Sequence, residues 1–233
     1  MKLKALLVFV FLCNCLNGQL TDINDSDWFR SGNFLVKELT STINKDIKGS
    51  PYLKKSFENG QIIFSNGNSY LAKMRLNISN QKFEILNTEN KVTEINLDNN
   101  TKVQLNNKTY SLHSIRISGV QTIVLLDECN VDYRYKLYYY PKKNIEIPKK
   151  PNTPAPSSGF EKSEIPEWKN YSVFYLFFDD EYYEIPNSHK KMANLEILKD
   201  FDYKTYRKKN KLNLKDRESL KELVKYLNKK SIN

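Results

Sequence analysis

Two runs of strictly alternating polarity dominate the chain. Tyr70, Ala72, Met74, Leu76 and Ile78 alternate with Leu71, Lys73, Arg75, Asn77 and Ser79. Further on, Val131, Tyr133, Tyr135, Leu137 and Tyr139 alternate with Asp132, Arg134, Lys136, Tyr138 and Tyr140. Successive side chains of a strand point to opposite faces, so each run builds one apolar and one more polar face. That is the pattern of an antiparallel sheet covered on one side.

Shorter strands fill residues 61–140. The sheet opens at Gln61-Ile62-Ile63-Phe64, and Asn66-Gly67 has the composition of a type I′ hairpin turn. Strands are predicted over 82–86, 92–97, 103–105 and 108–113, with a tight turn at Asn106-Asn107. The apolar phase then slips from Tyr110 and Leu112 to Ile115 and Ile117, which calls for a bulge near His113-Ser114. Residues 120–126 are almost wholly apolar, as in a strand covered on both faces. A second apolar run, residues 171–178, turns through Asp179-Asp180-Glu181 into residues 182–185. Such a hairpin does not stand alone in water, so it is expected to dock on the first sheet.

Helical spacing appears at both ends. Leu35, Leu39 and Ile43 recur every fourth residue and suit a short helix. Near the C-terminus Ser188 precedes a first helix carrying Met192, Leu195 and Leu198. Residues 202–209 form a second, with Phe201, Tyr203 and Tyr206 as its aromatic side. Asn213, followed by Asp216, opens a third with Leu220, Leu223, Val224 and Leu227 as its apolar stripe. The expected architecture is α+β: an antiparallel β-meander able to curl toward a half-barrel, with a docked β-hairpin and C-terminal helices. Residues 1–19 read as a signal peptide, 20–48 as an N-terminal segment, and 49–233 as one β-rich domain. That domain has a proline-rich insertion at 141–159 and a basic helical tail at 187–233.

The first residues carry an address. Lys2 and Lys4 precede the apolar stretch 5–12, which is too short to span a bilayer. Cleavage is expected between Cys15 and Gln19. Leu12 and Asn14 are poor residues before an acylated cysteine, so a non-lipidated product follows. Of the 3 cysteines only Cys129 then remains, and no internal disulfide can form. Residues 141–156 hold five of the 8 prolines, interleaved with Lys142, Lys143, Lys149 and Lys150. That composition predicts an extended excursion that joins neither ladder nor helix.

The order Gly49-Ser50-Pro51-Tyr52-Leu53, Phe57, Gly60, Asn66-Gly67 and Arg75-Leu76-Asn77-Ile78 is similar to the opening of a broad group of exported, uncharacterised Bacteroidetes proteins. In that group the last four residues more often read Arg-Tyr-Asn-Ile, so Leu76 departs from it. Lys190-Lys191 and Tyr226-Leu227-Asn228 resemble it too, and the resemblance covers most of residues 49–228. It implies an envelope or secreted setting, periplasmic, outer-membrane associated or extracellular, and a β-rich body with a helical tail. It implies no catalytic residue.

Candidate chemistry is sparse. His113 and His189 have no Cys, His or Glu at metal-ligand spacing, so no metal or cofactor is expected. The acidic clusters Asp127-Glu128 and Asp179-Asp180-Glu181 read as hairpin turns, where Asp is favoured for backbone reasons. The many tyrosines suit strand packing, although Tyr138 and Tyr140, if exposed, could stack on sugar rings. Charge is more telling. From residue 187 on there are 14 Lys and Arg against 6 Asp and Glu, so the tail carries the basic imbalance of the chain. Lys190, Lys191, Arg207, Lys208, Lys209 and Lys211 are the candidate anion-binding residues. Export argues against nucleic acid and leaves anionic envelope polymer or lipid headgroups as partners. The leading expectation is a non-catalytic binding or structural protein of the cell envelope. The alternative is an enzyme acting on a cell-wall or extracellular polymer through its carboxylates.

Overall fold

The computed structural model describes residues 20–22, 36–38, 47–87, 90–147 and 165–231. The stretch 1–19 read as a signal peptide, most of the N-terminal segment and the core of the proline-rich stretch lie outside them. Within the described residues the strands are β1 (Leu20–Asp22), β2 (Val36–Glu38), β3 (Glu58–Ile63), β4 (Ser69–Asn77), β5 (Lys82–Leu86), β6 (Val92–Ile95) and β7 (Lys102–Leu105), then β8 (Lys108–Ile117), β9 (Val120–Asn130), β10 (Lys136–Tyr140), β11 (Lys143–Glu146), β12 (Glu167–Asn170), β13 (Val173–Phe178) and β14 (Glu181–Glu184). Three helices follow: α1 (His189–Met192), α2 (Tyr203–Asn210) and α3 (Arg217–Ser231). The fold is α+β, as the alternation predicts. One large sheet runs β14-β13-β10-β9-β8-β7-β3-β4-β5-β6-β2, with β1 beside β4. All its pairs are antiparallel except β1–β4. A two-stranded ribbon joins β11 to β12.

The apolar phase slip in β8 has a different origin from a bulge. Tyr110 through Ile117 pairs with β9 in unbroken register. Instead, the two halves of β8 face two cores. Tyr110, with Leu112 against it, joins Ile62, Met74, Leu76, Phe83, Ile95 and Val103 on one face. The Phe83 and Tyr110 rings meet edge-on at 5.6 Å, so the meander β3–β7 curls back over this core. Ile115 joins Val124, Leu126, Tyr138, Tyr140 and Tyr175 on the opposite face. The register break falls instead between β9 and β10, at Leu137 and Tyr138. Tyr138 and Tyr140 are thus core residues, only 5% and 7% exposed, and are closed to sugars. Double coverage of β9 starts only at Val124; Val120 and Ile123 are exposed.

The hairpin β13–β14 docks as expected, with Val173–Phe178 paired to β10 from Tyr140↔Val173 to Lys136↔Phe177. A third core lies between this part of the sheet and the helices. Leu137 and Leu176 meet Met192, Leu198, Tyr203, Tyr206, Leu220, Leu223, Val224 and Leu227 there. Each fully buried aliphatic side chain contributes about 1.5–3 kcal/mol. The apolar stripe of α3 is therefore what holds the tail to the sheet.

Local chemistry departs from the sequence reading at several points. Val36–Glu38 pairs with β6 as a strand, so these three residues are not part of the helix expected over Leu35, Leu39 and Ile43, which themselves lie outside the described residues. The β3–β4 loop is wider than a type I′ turn: Gly67 N–H donates to Phe64 O and only Gly67 has a positive φ. Asn106-Asn107 and Asp179-Asp180 do have two consecutive positive φ values, and they make the two-residue hairpins. Lys143–Glu146 does enter a ladder, with Lys169 and its neighbours, because no proline falls inside those four residues. Asp216, not Asn213, caps α3: its carboxylate accepts from Ser219 N–H at 2.7 Å, while Asn213 closes the loop before it. Asp202 caps α2 through Thr205 N–H at 3.1 Å.

Candidate functional site

Three clusters of polar side chains and one open cleft have functional potential. The first cluster joins the residues of the Gly-Ser-Pro-Tyr-Leu stretch. Glu84 is 2% exposed on β5 and accepts from Tyr52 Oη at 3.1 Å and from Arg75 Nε at 2.8 Å. Arg75 Nη2 donates to Tyr52 Oη at 2.8 Å, and its guanidinium lies over the Tyr52 and Phe57 rings at 3.8 and 4.3 Å. Leu53 and Ile78 bond to the backbone of Leu76 and Pro51. These residues strap segment 47–57 across β4. A cation held by a buried carboxylate and two rings is a structural clamp with no open coordination left for a ligand.

The second cluster lies in the third core. Asp127 is fully buried in β9, far from any turn, which corrects the hairpin-turn reading of Asp127-Glu128. Its place between the apolar run 123–126 and Glu128 reads as the polar end of a strand and gives no sign of burial. Arg217, the first residue of α3, bonds to Asp127 Oδ2, and Lys108 Nζ stands 3.6 Å from the same oxygen. Asp127 Oδ1 has no partner. Tyr110 and Cys129 lie nearby; burial pushes the Cys129 thiol up to about 12, so it is inert at neutral pH.

The third cluster pairs Ser111 with His113, two residues apart on one face of β8. The two are 2.7 Å apart at Oγ and Nε2, the separation of a nucleophile and its base. The proton order argues against that role. Ser111 O–H donates to Glu128 Oε1 at 2.5 Å, which leaves Nε2–H as the donor to Ser111 Oγ. Tyr182 O–H then donates to Nδ1 at 2.7 Å. Burial holds His113 below its ordinary value, in its neutral form. Ser111 is 5% exposed, and the chain of bonds ties β14 to β8 across the second core. Glu128 is bonded here and to Lys102 at 3.0 Å, within a strand and not a turn.

The cleft opens between the β13–β14 turn and the helices, with a volume of about 1120 Å³. Phe178, Asp179, Glu181 and Tyr183 form one wall, and residues 196–202 with α2 and the end of α3 form the other. Its rings include Phe201, Tyr206 and Tyr226, whose centroids lie 4.8–5.6 Å apart. Five carboxylates line it (Asp179, Glu181, Glu196, Asp200, Asp202) against three lysines (Lys199, Lys209, Lys230). Asp179-Asp180-Glu181 is the expected turn, yet Asp179 and Glu181 also face this space.

The six basic candidates are all exposed. Lys190 and Lys191 sit on α1, whose four residues are too few for a helix dipole to matter. Arg207, Lys208 and Lys209 occupy the last turn of α2, where positive charge suits the helix end, and Lys211 is its left-handed cap residue. Arg207 is close enough to His189 to lower it, after burial, so α1 and α2 present neighbouring basic edges. Among the described residues no carboxylate pairs with any of the six. No group of three or more His, Cys, Asp and Glu is placed to hold a metal ion among the described residues, and none of their helices is long and apolar enough to cross a membrane. The chain matches no family model, no curated protein and no solved structure.

Proposed function

We propose that this is an exported, non-catalytic protein of the cell envelope that rests on an anionic surface, either polymer or lipid headgroups, through the basic helical tail. One observation carries the reading. Several cations of the body are consumed internally, Arg75 by Glu84, Lys82 by Glu94 and Lys102 by Glu128, as is Arg217 of α3 by Asp127. Those of α1 and α2 stand in solvent without a carboxylate. The resemblance of residues 49–78 to exported Bacteroidetes proteins supports the setting.

The competing reading is an enzyme acting on a cell-wall or extracellular polymer, favoured by a cleft that gathers carboxylates from separate segments. Against it, Asp179, Glu181, Glu196 and Asp200 are all exposed. An acid catalyst needs its carboxyl desolvated.

Co-sedimentation with phosphatidylglycerol vesicles and with an anionic polysaccharide, at low and high salt, tests the proposal and separates the two surfaces. Exposed charges are screened over roughly 8 Å at physiological salt, so binding should fall steeply as salt rises. Replacing Arg207, Lys208, Lys209 and Lys211 by Gln should weaken it without unfolding the tail, since helix propensity is nearly kept. Replacing Leu220 and Leu223 by Gln should unfold it. A protein that binds neither surface at low salt overturns the proposal.

A further inference from the structure

The charge of the cleft runs against that of the chain. The protein carries a formal charge of +10, yet carboxylates outnumber lysines along the cleft. They come from separate elements: Asp179 and Glu181 from the hairpin, Glu196 and Asp200 from the turns before α2. Their fields converge. The Tyr183 phenol is raised to about 12, first by its bond to Glu181 and then by burial and by Glu181, Asp179 and Glu196. The Tyr135 phenol is raised first by burial, with Asp179 and Asp200 adding to it against the opposing Arg134.

We propose that this cleft docks an extended segment of a partner protein that carries arginine or lysine side chains. The rim already holds one such group. Arg134 donates to both Asp179 oxygens, at 3.0 and 2.9 Å from Nη2, while its guanidinium lies 4.4 Å from the Phe178 ring centre. A ring face below a planar cation with a carboxylate at its edge is the arrangement that favours guanidinium over neutral groups. Arg134 neutralises Asp179, and Lys199 is bonded to Glu196. Asp202 is committed to capping α2. Glu181, bonded only by the neutral Tyr183 hydroxyl, and Asp200 are left for an incoming cation. Tyr226, 37% exposed and 4.8 Å from Tyr206, offers a second ring face beyond them. Lys209 and Lys230 stand at the helix C-terminal end of the cleft and set a direction: the partner's cation lies toward the hairpin. The proposal is separable from the basic surface of the tail, because the two use opposite charge and share only Lys209.

The test uses the full secreted chain and a capped peptide of alternating arginine and glycine, with a citrulline version as the neutral control of the same shape. Titration is followed by calorimetry at low salt. The arginine peptide should bind and the citrulline peptide should bind at least about ten-fold more weakly. Glu181→Gln with Asp200→Asn should weaken the arginine peptide about five-fold, the scale of one or two exposed charge contacts. Lys209→Gln should strengthen it, although the same change weakens attachment to anionic surfaces. Lys190→Gln with Lys191→Gln should leave it within two-fold, by the same scale of remote screened charges, roughly. Equal binding of the two peptides, no binding of either, or full binding by the Glu181→Gln/Asp200→Asn variant would overturn the proposal. All five substituted positions are exposed, and matching circular dichroism spectra confirm that the variants fold.

Discussion

Arg217→Met isolates the buried ion pair between α3 and β9. Asp127 has no exposed surface, and Arg217 and Lys108 supply its positive charge. Methionine keeps the length and nearly the helix propensity of arginine at the first position of α3. What changes is that a buried carboxylate keeps only Lys108, at 3.6 Å, and already has one oxygen without a partner. Breaking a buried pair from one side costs about 3–5 kcal/mol. Lys108 stays in place, so the lower end applies, about 3 kcal/mol. For a chain of this size that lowers Tm by roughly 6–12 °C. Asp127→Asn should cost less, about 1–3 kcal/mol, because Arg217 can reach water when its partner is neutral. The double variant should then cost clearly less than the two single losses added together, since no unpaired carboxylate remains. Urea unfolding followed by far-UV circular dichroism gives all three values, with an unchanged m-value as the check that the same surface is exposed. A loss below about 0.5 kcal/mol for Arg217→Met, the scale of an ordinary surface change, would refute the argument, as would strictly additive losses.

Other consequences can be measured in the same way. His113 is held below its ordinary value by burial, so its neutral form stabilises the fold at pH values above the unfolded pKa, about 6.5. That stability should fall away as the pH drops from there through the folded pKa; a stability–pH curve for His113→Gln that loses this acid limb supports the assignment, and an identical curve refutes it. Gly60→Ala should destabilise by about 1–3 kcal/mol, because a Cβ there would lie 2.6 Å from Met74 Sδ and 2.9 Å from the Gln104 carbonyl oxygen. A neutral result in chemical denaturation would mean that β3 and β7 can separate at little cost.

Periodicity revealed the elements, and chemistry hid the rest. Met74, Leu76 and Ile78 alternate with polar residues and are buried as the pattern demands, and Leu220, Leu223, Val224 and Leu227 behave likewise in α3. These signals are legible because one covered face imposes one period. They fail where coverage changes along a strand. Tyr110 and Ile115 point to different cores, and a one-faced reading can explain that only by inserting a bulge. Asp127 reads as a turn residue because acids favour turns; its partner Arg217 lies ninety positions away, and no local pattern carries such a pairing. Tyr138 and Tyr140 look amphipathic in sequence, but their burial depends on the docked hairpin. The cleft was illegible for the same reason. Asp179, Asp200 and Tyr226 become neighbours only when the hairpin and the helices pack. The exposed basic residues were legible, since a charge run needs no fold to be seen.

The strap over β4 also dictates an order of events. Lys48 bonds to Pro166 and Trp168 on one side, while Tyr52 bridges to Asn77 on the other. Lys143 Nζ then donates to the carbonyls of Ser50 and Tyr52. These contacts close loops of very different length, and loop closure must precede the reward of long-range contacts. A chain emerging from its N-terminus can form β3–β7 early, but segment 47–52 has no complete seat until β11 and β12 have both emerged and paired. Segment 47–52, although it precedes β3 in the chain, is therefore among the last parts to lock. The buckle over β4 therefore reports on completion of the sheet, because it closes only once the ribbon that seats it exists.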